Sequence, residues 1–380
     1  MNNEAPLNKL ILINAANLHS GGAVQVAVSF IYELSVLDDS TCSNIHIVAS
    51  QEVADALIRL DIDTSMFGHY EHIDTFGLKA FFSSLNNRIK NYDTVFTIFG
   101  PNYLRVKAKN EIVGFAQPWM LNFNNPISAE MSFASRNLLR FKFYIQWFFF
   151  LRADHYIVEL DHVKKGLVAL KGLDDKKISV VRNTASSLYE DPSKWKSLPV
   201  HKNNEDISLG IVTRDYPHKN LKILPFVAEA LKVKHGLNAH FYTTLNDAEW
   251  ATKDAFFKKY VSTVGSLSPD QCPAFYQQID GVVFPSLLEC FSATPLEAMV
   301  MSKPLFASDR GFVRDVCADY PKYFDPLDAD DIAQSVASYF KKDIDRTERL
   351  QQARNYALNF SSAKGRAEQY LQTIQQQLRG

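Results

Sequence analysis

Short apolar runs alternate with longer amphipathic segments along most of the chain. The apolar runs have the length of buried strands and lie at residues 10–13, 45–49, 95–99, 112–116, 156–158 and 178–181. Segments with apolar residues at helical spacing lie between them, after Gly21-Gly22, over 53–60 and over 134–152. Such alternation predicts an α/β fold in which parallel sheets are covered by helices on both faces.

A polar stretch over 183–205 interrupts this pattern, which then starts again. Further strands are predicted at 207–212, 239–242, 261–264, 281–284, 304–307 and 323–324, and helices at 221–233, 248–260, 269–278 and beyond 328. The restart predicts two doubly wound domains in tandem. We place the N-terminal domain at 1–188 and the C-terminal domain at 189–362. A last helix over 363–380 is expected to pack back toward the first domain.

Composition narrows the functional class. The 380 residues are 46% hydrophobic with a formal net charge of -1, so they allow about two to three domains of ~150 residues and offer no global basic field for nucleic acid. The four cysteines are scattered and predict reduced thiols rather than disulfides or a zinc site. A polar start and the lack of a long apolar run predict a cytoplasmic protein without a signal peptide or a membrane-spanning helix.

Charged residues and glycines follow several predicted strands, where parallel sheets bind their ligands. Gly21 and Gly22 follow the first strand, where they either let a ligand approach the backbone or simply form a tight turn. No GxGxxG fingerprint or P-loop occurs, which counts against nicotinamide binding and Walker-type ATP hydrolysis. Arg214 and Lys219 flank a loop after the strand at 207–212 and can clamp a diphosphate, or be ordinary surface charges.

Two glutamates surround a strand-to-helix turn. The strand at 281–284 leads to a loop containing Glu289 and then to a helix start, where Thr294 can cap, Pro295 suits the first position and Glu297 lies in the first turn. Unpaired N–H groups at such a start attract phosphate. The same residues also fit a capping box, in which Glu297 only reaches back to the cap and Glu289 is a solvated loop carboxylate.

The order of these landmarks is similar to that of a known family. The glycine pair, Arg214 with Lys219, the turn at 264–268 and Phe284-Pro285-Ser286 before the glutamates occur in one sequence, followed by a matching segment over 297–308. In these residues the chain resembles glycosyltransferases of family 4, which are retaining GT-B enzymes, most closely over 207–340. The resemblance implies two Rossmann-like domains facing a central cleft.

The resemblance also implies roles for residues of the second half. Glu297 would bind the nucleotide ribose, Glu289 the donor sugar, and Arg214 with Lys219 the diphosphate, so that Glu289, Arg214 and Lys219 form the catalytic set. Backbone N–H groups at Gly21-Gly22 and the turn at Gly265 would complete the nucleotide-sugar site, together with those at Ser292, Ala293 and Thr294. The segment Cys290-Phe291-Ser292 replaces the family's usual Gly-Phe-Gly, which leaves the donor sugar open.

The acceptor side is expected in the first half. Gln117 and Trp119 follow the strand at 112–116, with Gln117 in a region where many relatives carry a histidine and Trp119 as a platform for a sugar. Asn17 and His19 precede the glycine pair and can also reach an acceptor, although an exposed histidine is commonly just solvated.

These expectations define a reaction. A hexose-type sugar would move from a nucleoside diphosphate sugar to a hydroxyl of a glycan or lipid-linked acceptor, with retention, in cell-surface polysaccharide synthesis such as O-antigen, capsule or lipopolysaccharide. No metal or cofactor is expected, because the Asp-x-Asp triplets at 61–63, 328–330 and 343–345 follow no strand in a nucleotide-binding context. The alternatives are a sugar-nucleotide epimerase of the same architecture and a non-catalytic sugar-binding protein.

The aromatic segment at 136–152 has two interpretations. A large domain needs buried aromatic residues, which favours a core helix. The basic residues at its ends also fit an interfacial helix on anionic lipid, which would place the protein peripherally at the inner face of the membrane. The sequence leaves open the sugar, the base, the linkage and the oligomeric state.

Overall fold

The computed structural model describes residues 9–37, 42–75, 77–199, 206–342 and 345–379, so the triplet at 343–345 and the end of the polar stretch, 200–205, lie partly or wholly outside them. In chain order, the strands β1 to β13 of these residues are Ile11–Ala15, Ile45–Ala49, His69–His72, Thr94–Thr97, Glu111–Gly114, His155–Val158, Ile178–Val180, Ile207–Ile211, Ala239–Thr243, Val261–Thr263, Gly281–Phe284, Leu305–Ser308 and Lys322–Phe324. The helices α1 to α17 are Gly21–Ser35, Gln51–Arg59, Leu78–Phe82, Leu85–Arg88, Pro118–Leu121, Pro126–Ala129, Phe133–Phe150, Asp161–Lys171, Leu224–His235, Asp247–Ala251, Ala255–Tyr260, Cys272–Gln278, Ala293–Val300, Gly311–Cys317, Ala329–Phe340, Thr347–Leu358 and Ala363–Arg379.

The first compact unit contains the described residues up to Phe123, Met131–Asn183 and the chain from Ala363 onward. Its sheet has the order β3-β2-β1-β4-β5-β6-β7, and each pair of neighbours is parallel. The last helix, α17, packs against α1, and its buried Arg366 donates hydrogen bonds to Asn183 and to Ser29. The strand order reverses between β1 and β4, so the loops after these two strands form the switch point of this sheet.

The second compact unit contains Asn124–Glu130 and the described part of Thr184–Ser362. Its sheet has the order β10-β9-β8-β11-β12-β13 and is parallel throughout. The order reverses between β8 and β11, which places the loops after them side by side. These are the loops that carry Lys219 and Glu289.

The two parallel-sheet α/β architecture expected from the sequence is confirmed, and individual elements differ. Strand β3, with the sequence His-Tyr-Glu-His, was not predicted because an edge strand that is half-exposed lacks the apolar signature of the central ones. The single helix predicted over 248–260 is wrong: α10 ends at Ala251 and α11 begins at Ala255. The Asp254 side chain accepts a hydrogen bond from the Phe257 N–H at 2.7 Å and so starts a new helix instead of continuing the old one.

The polar stretch after β7 packs onto the second unit. Residues 187–190 and 192–194 form 3₁₀ turns. Tyr189 is buried against the Tyr276 ring, with ring centroids 5.9 Å apart, and the Trp195 indole donates to the Leu188 carbonyl at 2.6 Å. This stretch was expected to be a linker, and its first part supplies a buried side chain instead.

The aromatic helix α7 is buried on one face only. Phe143 and Phe150 are buried, whereas Phe141, Tyr144 and Phe148 are exposed. The interpretation as a core helix therefore holds for one face and is wrong for the other. Among the described residues, no helix has the length and apolarity needed to cross a membrane.

Candidate functional site

A lysine and a glutamate meet where the two central strands of the second sheet end. Lys219, in the loop after β8, places its Nζ 2.5 Å from Oε1 of Glu289, in the loop after β11. The Ser286 hydroxyl donates to the same carboxylate oxygen at 2.8 Å. Both charged side chains are largely buried, with 13% and 11% of their surfaces exposed. Partial burial strengthens the attraction between the two charges and fixes the carboxylate toward the switch point.

The neighbouring His218 completes this loop pair. Its Nε2 lies 4.0 Å from the Glu289 carboxylate, and its backbone carbonyl accepts a hydrogen bond from the Leu287 N–H at 2.7 Å and lies 3.1 Å from the Ser286 hydroxyl oxygen. Burial lowers the pKa of His218 in spite of the nearby Glu289 charge. Backbone and side chains therefore join the two loops.

Glu297 is a second carboxylate of the same region and does not cap its helix. It lies inside α13, which begins at Ala293 with Ser292 as its cap residue, so Thr294 and Pro295 are not the cap and first position that the sequence suggested. The Tyr276 hydroxyl donates to Glu297 Oε2 at 2.9 Å, and Tyr189 also hydrogen bonds to this carboxylate. The capping-box interpretation is therefore wrong, because buried tyrosines and not the helix start hold the carboxylate.

The environment of Glu297 opposes its ionisation. Burial raises its pKa, and the hydrogen bonds from the two tyrosines and the charge of Lys219 offset only part of this effect. The residue still keeps part of its surface accessible to solvent. The position of this carboxylate is therefore fixed by the protein, through hydrogen bonds from buried tyrosines.

Arg214 is directed to a different partner in this unit. Its Nε lies 2.9 Å from Glu249 Oε1, and the guanidinium-bearing side chain is about half exposed. Burial of Glu249 works against ionisation, but hydrogen bonds from Arg214 and from the N–H groups of Asn246 and Asp215 outweigh it and lower the pKa of Glu249. The structure thus brings Lys219 and Glu289 together, whereas Arg214 pairs with Glu249 in the first turn of α10.

The remaining predicted residues of this half border the same end of the sheet. Ser292 is the N-cap residue of α13 without a side-chain cap bond, Ala293 is its first residue, and Thr294 is buried and donates to the Val212 carbonyl at 3.2 Å. Gly265 follows β10 with a φ of 80°, a left-handed conformation that favours glycine, and its N–H donates to the Thr263 hydroxyl.

In the first unit, the predicted residues Gly21, Gly22 and Asn17 lie at the β1–β4 switch point. Gly21 begins α1 with a φ of 69°, and a Cβ at either glycine would meet nothing within 4 Å. The Asn17 amide donates to the Phe99 carbonyl at 2.8 Å and joins the loops after β1 and β4. Its buried Oδ1 has no hydrogen-bond partner among the described residues. A buried polar atom without a partner is uncommon in folded proteins.

Gln117 and Trp119 follow β5 in the same unit. Gln117 precedes α5 without a side-chain cap bond, and both residues are half-buried. The Trp119 ring stacks on Phe143 with centroids 6.3 Å apart and an interplanar angle of 20°. One face of the indole is therefore occupied by packing against α7.

His19 belongs to a small cluster of possible metal ligands. Its Nδ1 lies 3.1 Å from Glu52 and 3.5 Å from Asp74, and ligand atoms of the three residues lie within 4.8 Å of one another. The two carboxylates are exposed, as such groups commonly are without an ion.

Among the Asp-x-Asp triplets, Asp328 accepts hydrogen bonds from the N–H groups of Asp330 and Asp331 and so caps α15.

Sequence reasoning missed several residues that shape the site. Ser286 and His218 adjoin the predicted Glu289 and Lys219, and their positions after β11 and β8 were available as a signal. Tyr189, Tyr276 and Glu249 had no such signal, because they act through contacts between segments distant in sequence.

One protein-family model matches the part of the chain that holds Lys219 and Glu289. Residues 194–359 match the model described as glycosyl transferases group 1. The matched residues lie within the second unit. They include Arg214, Lys219, Glu289 and Glu297. A search of curated proteins by sequence found no match.

Solved structures extend the likeness to both units. A glycosyltransferase from Rickettsia africae has a TM-score of 0.69 at 17% identity, with 98% of this chain and 100% of that chain covered. The Anabaena HepE protein in complex with UDP-glucose has a TM-score of 0.61 at 15% identity, with 98% and 100% covered. WaaG, a glycosyltransferase involved in lipopolysaccharide biosynthesis, has a TM-score of 0.66 at 12% identity, with 96% and 99% covered. At these identities the likeness establishes the fold, which is GT-B.

The raised pKa of Glu297 predicts how the stability of the free protein depends on pH. Between its unfolded value near 4.5 and its higher folded value, the native state binds more protons than the unfolded state, so its contribution to stability falls as pH rises. We expect Glu297→Gln to raise the melting temperature at pH 8, because the neutral amide avoids the cost of burying a charge. The difference should vanish toward pH 4.5.

Thermal melts of wild type and variant between pH 4.5 and pH 8 measure this effect. Glu348→Gln, which changes an exposed glutamate of α16, is the matched control and should leave the pH profile unchanged. A Glu297→Gln protein that is less stable than wild type at pH 8 would show that the carboxylate stabilises the free protein.

Proposed function

We propose that the chain is a retaining glycosyltransferase of family 4 that uses a nucleoside diphosphate sugar. It transfers a hexose-type sugar to a hydroxyl of a glycan or lipid-linked acceptor, in the synthesis of a cell-surface polysaccharide. The proposed location is the cytoplasm, peripherally at the inner face of the membrane. The observation that carries the proposal is the cluster of Lys219, Glu289 and Glu297 at one switch point, within the residues that match the glycosyl transferases group 1 model.

The proposed donor site follows from the charges and N–H groups of this cluster. Lys219 contacts the diphosphate, and Arg214 exchanges Glu249 for a phosphate oxygen. The start of α13, at Ser292, Ala293 and Thr294, contributes backbone N–H groups and the positive end of the helix. Glu297 accepts hydrogen bonds from the ribose hydroxyls, and Gly265 lies beside the base.

The proposed reaction breaks the bond between the anomeric carbon and the β-phosphate oxygen. The acceptor hydroxyl oxygen bonds to the same face of that carbon, and its proton moves to the leaving phosphate oxygen. Negative charge grows on the diphosphate in the transition state, where Lys219 and Arg214 stabilise it. Glu289, held by Lys219 and Ser286, binds the hydroxyls of the transferred sugar.

Metal independence is part of the proposal. The lysine and arginine of the second unit supply the positive charge that a divalent cation otherwise provides to a leaving diphosphate. Asn17, His19, Gln117 and Trp119 are proposed to bind the acceptor, with the unpartnered Oδ1 of Asn17 as an acceptor for one of its hydroxyls. Gly21 and Gly22 let the donor approach the backbone, since no atom would contact a Cβ there.

A donor screen tests the reaction class. The full chain is incubated with UDP-, GDP- and other nucleotide sugars, and UDP-glucose comes first because the structurally similar HepE was solved with it. We expect transfer or slow hydrolysis that persists in EDTA, and an NMR spectrum in which the product keeps the anomeric configuration of the donor. An inverted product would refute retention, and an epimerised sugar nucleotide formed without acceptor would favour the epimerase.

Substitution of Lys219 tests the donor site. We expect Lys219→Ala to lower kcat/KM by about 10²–10³-fold, because the leaving diphosphate loses a preorganised charge. Lys222→Ala is the matched control, since Lys222 lies three residues after Lys219, is exposed and pairs with Glu130. Kinetics and thermal melts are measured together. A folded Lys219→Ala enzyme with near wild-type activity would remove this residue from the mechanism.

A further inference from the structure

Helix α7 exposes a continuous strip of large apolar side chains. The strip consists of Leu138, Phe141, Tyr144, Ile145, Phe148 and Leu151, which we call the aromatic stripe. Phe141, Tyr144 and Phe148 are 62%, 74% and 64% exposed. At 3.6 residues per turn the six positions span an arc of about 140° on the helix surface. Contiguous apolar surface of this kind marks an interaction site on a folded protein.

The opposite face of α7 already packs against the first unit. Phe150 is buried beside Phe115, Phe149 contacts Tyr103, and Trp119 stacks on Phe143. The Gln146 amide also donates to the Tyr103 hydroxyl at 2.6 Å. The orientation of the helix is therefore fixed by one face, and the stripe is held at the surface.

The charges beside the stripe all have one sign. Helix α7 contains no acidic residue, and the exposed Arg140 and Lys142 border the stripe on its two sides. The Arg140 guanidinium lies 4.8 Å from the centre of the Phe123 ring, a cation–π contact that holds its charge beside the stripe. This pattern of an apolar face between cations fits an anionic surface.

Further basic and aromatic groups adjoin the C-terminal end of α7. Arg152 donates a hydrogen bond to the Leu104 carbonyl at 2.6 Å. Arg105, which follows Leu104 in the chain, places its guanidinium over the Phe81 ring. Phe81 contacts Phe82, which is 80% exposed. The acids of this area are paired with bases, Asp154 with Lys107 at 2.7 Å and Glu111 with Arg152 at 3.9 Å. They leave the positive character of the surface intact.

We propose that the aromatic stripe docks on an anionic lipid bilayer, with α7 lying in the plane of the interface. The apolar side chains enter the boundary between headgroups and acyl chains, and Arg140 and Lys142 contact lipid phosphates. A second copy of the chain fits less well, because joining two stripes would bring four cations together without a carboxylate on either helix. The proposal concerns the first unit and does not rest on glycosyl transfer.

Vesicle flotation of the intact chain tests the proposal. We expect binding to vesicles of phosphatidylcholine with phosphatidylglycerol, weaker binding to phosphatidylcholine alone, and loss of binding at high salt. Tyr144→Ser with Phe148→Ser should lower the partition coefficient by about tenfold or more on anionic vesicles, since two exposed aromatic rings no longer enter the interface. Arg140→Glu with Lys142→Glu should abolish the preference for anionic lipid.

Controls separate docking from folding and from catalysis. Val233→Ser, which removes an 81% exposed apolar side chain from α9 of the second unit, should leave flotation unchanged. Melting curves of all variants should match wild type, and nucleotide-sugar hydrolysis without acceptor should persist. Wild-type protein that does not float with anionic vesicles would overturn the proposal. It would also be overturned if the stripe variants floated as wild type does. The same holds if light scattering showed that wild type is a dimer and that the substitutions make it a monomer without changing flotation.

Discussion

The parallel pairing of β8 with β11 is the constraint on which the candidate site depends. Because the strands run in the same direction and the sheet order reverses between them, the loops that follow them must meet at one edge. Lys219 and Glu289 are distant in sequence and are brought to an ion pair of 2.5 Å by this topology. Hydrogen bonds from the Leu287 N–H to the His218 carbonyl and from the Ser286 hydroxyl to Glu289 then stabilise the two loops.

The two glutamates illustrate how a protein holds charge in a partly buried site. Glu289 is neutralised by Lys219, whereas Glu297 is held by the tyrosines 189 and 276 and has a raised pKa. Ionising a buried carboxyl group that is held only by neutral hydroxyls lowers the stability of the folded protein. Hydrogen bonds from the hydroxyls of a bound polyol such as ribose would offset that cost. In the proposed mechanism the paired lysine likewise exchanges the Glu289 carboxylate for a phosphate when a diphosphate binds. This arrangement suits a ligand that brings both hydroxyl groups and negative charge.

Most of the architecture could be predicted because buried parallel strands carry a strong apolar signal. The positions of Gly21, Lys219 and Glu289 after strands were also readable, since topology alone places such residues at the sheet edge. The contacts of Glu297 were not, because the motif around Thr294 satisfies the local rules of a capping box while hydrogen bonds from Tyr189 and Tyr276 hold the carboxylate. For the same reason α7 was ambiguous: its composition suits both a core and an interface, and only the packing of Phe143 and Phe150 identifies the exposed face.

The central claim is that the loops after β8 and β11 bind the diphosphate of a nucleotide donor. A crystal structure of the chain with a bound nucleoside diphosphate tests it most directly. We expect phosphate oxygens in contact with Lys219 Nζ and with the first N–H groups of α13. We also expect Arg214 to turn from Glu249 to a phosphate, and the ribose hydroxyls to bind Glu297. A nucleotide bound elsewhere, with the Lys219–Glu289 and Arg214–Glu249 pairs unchanged, would contradict it.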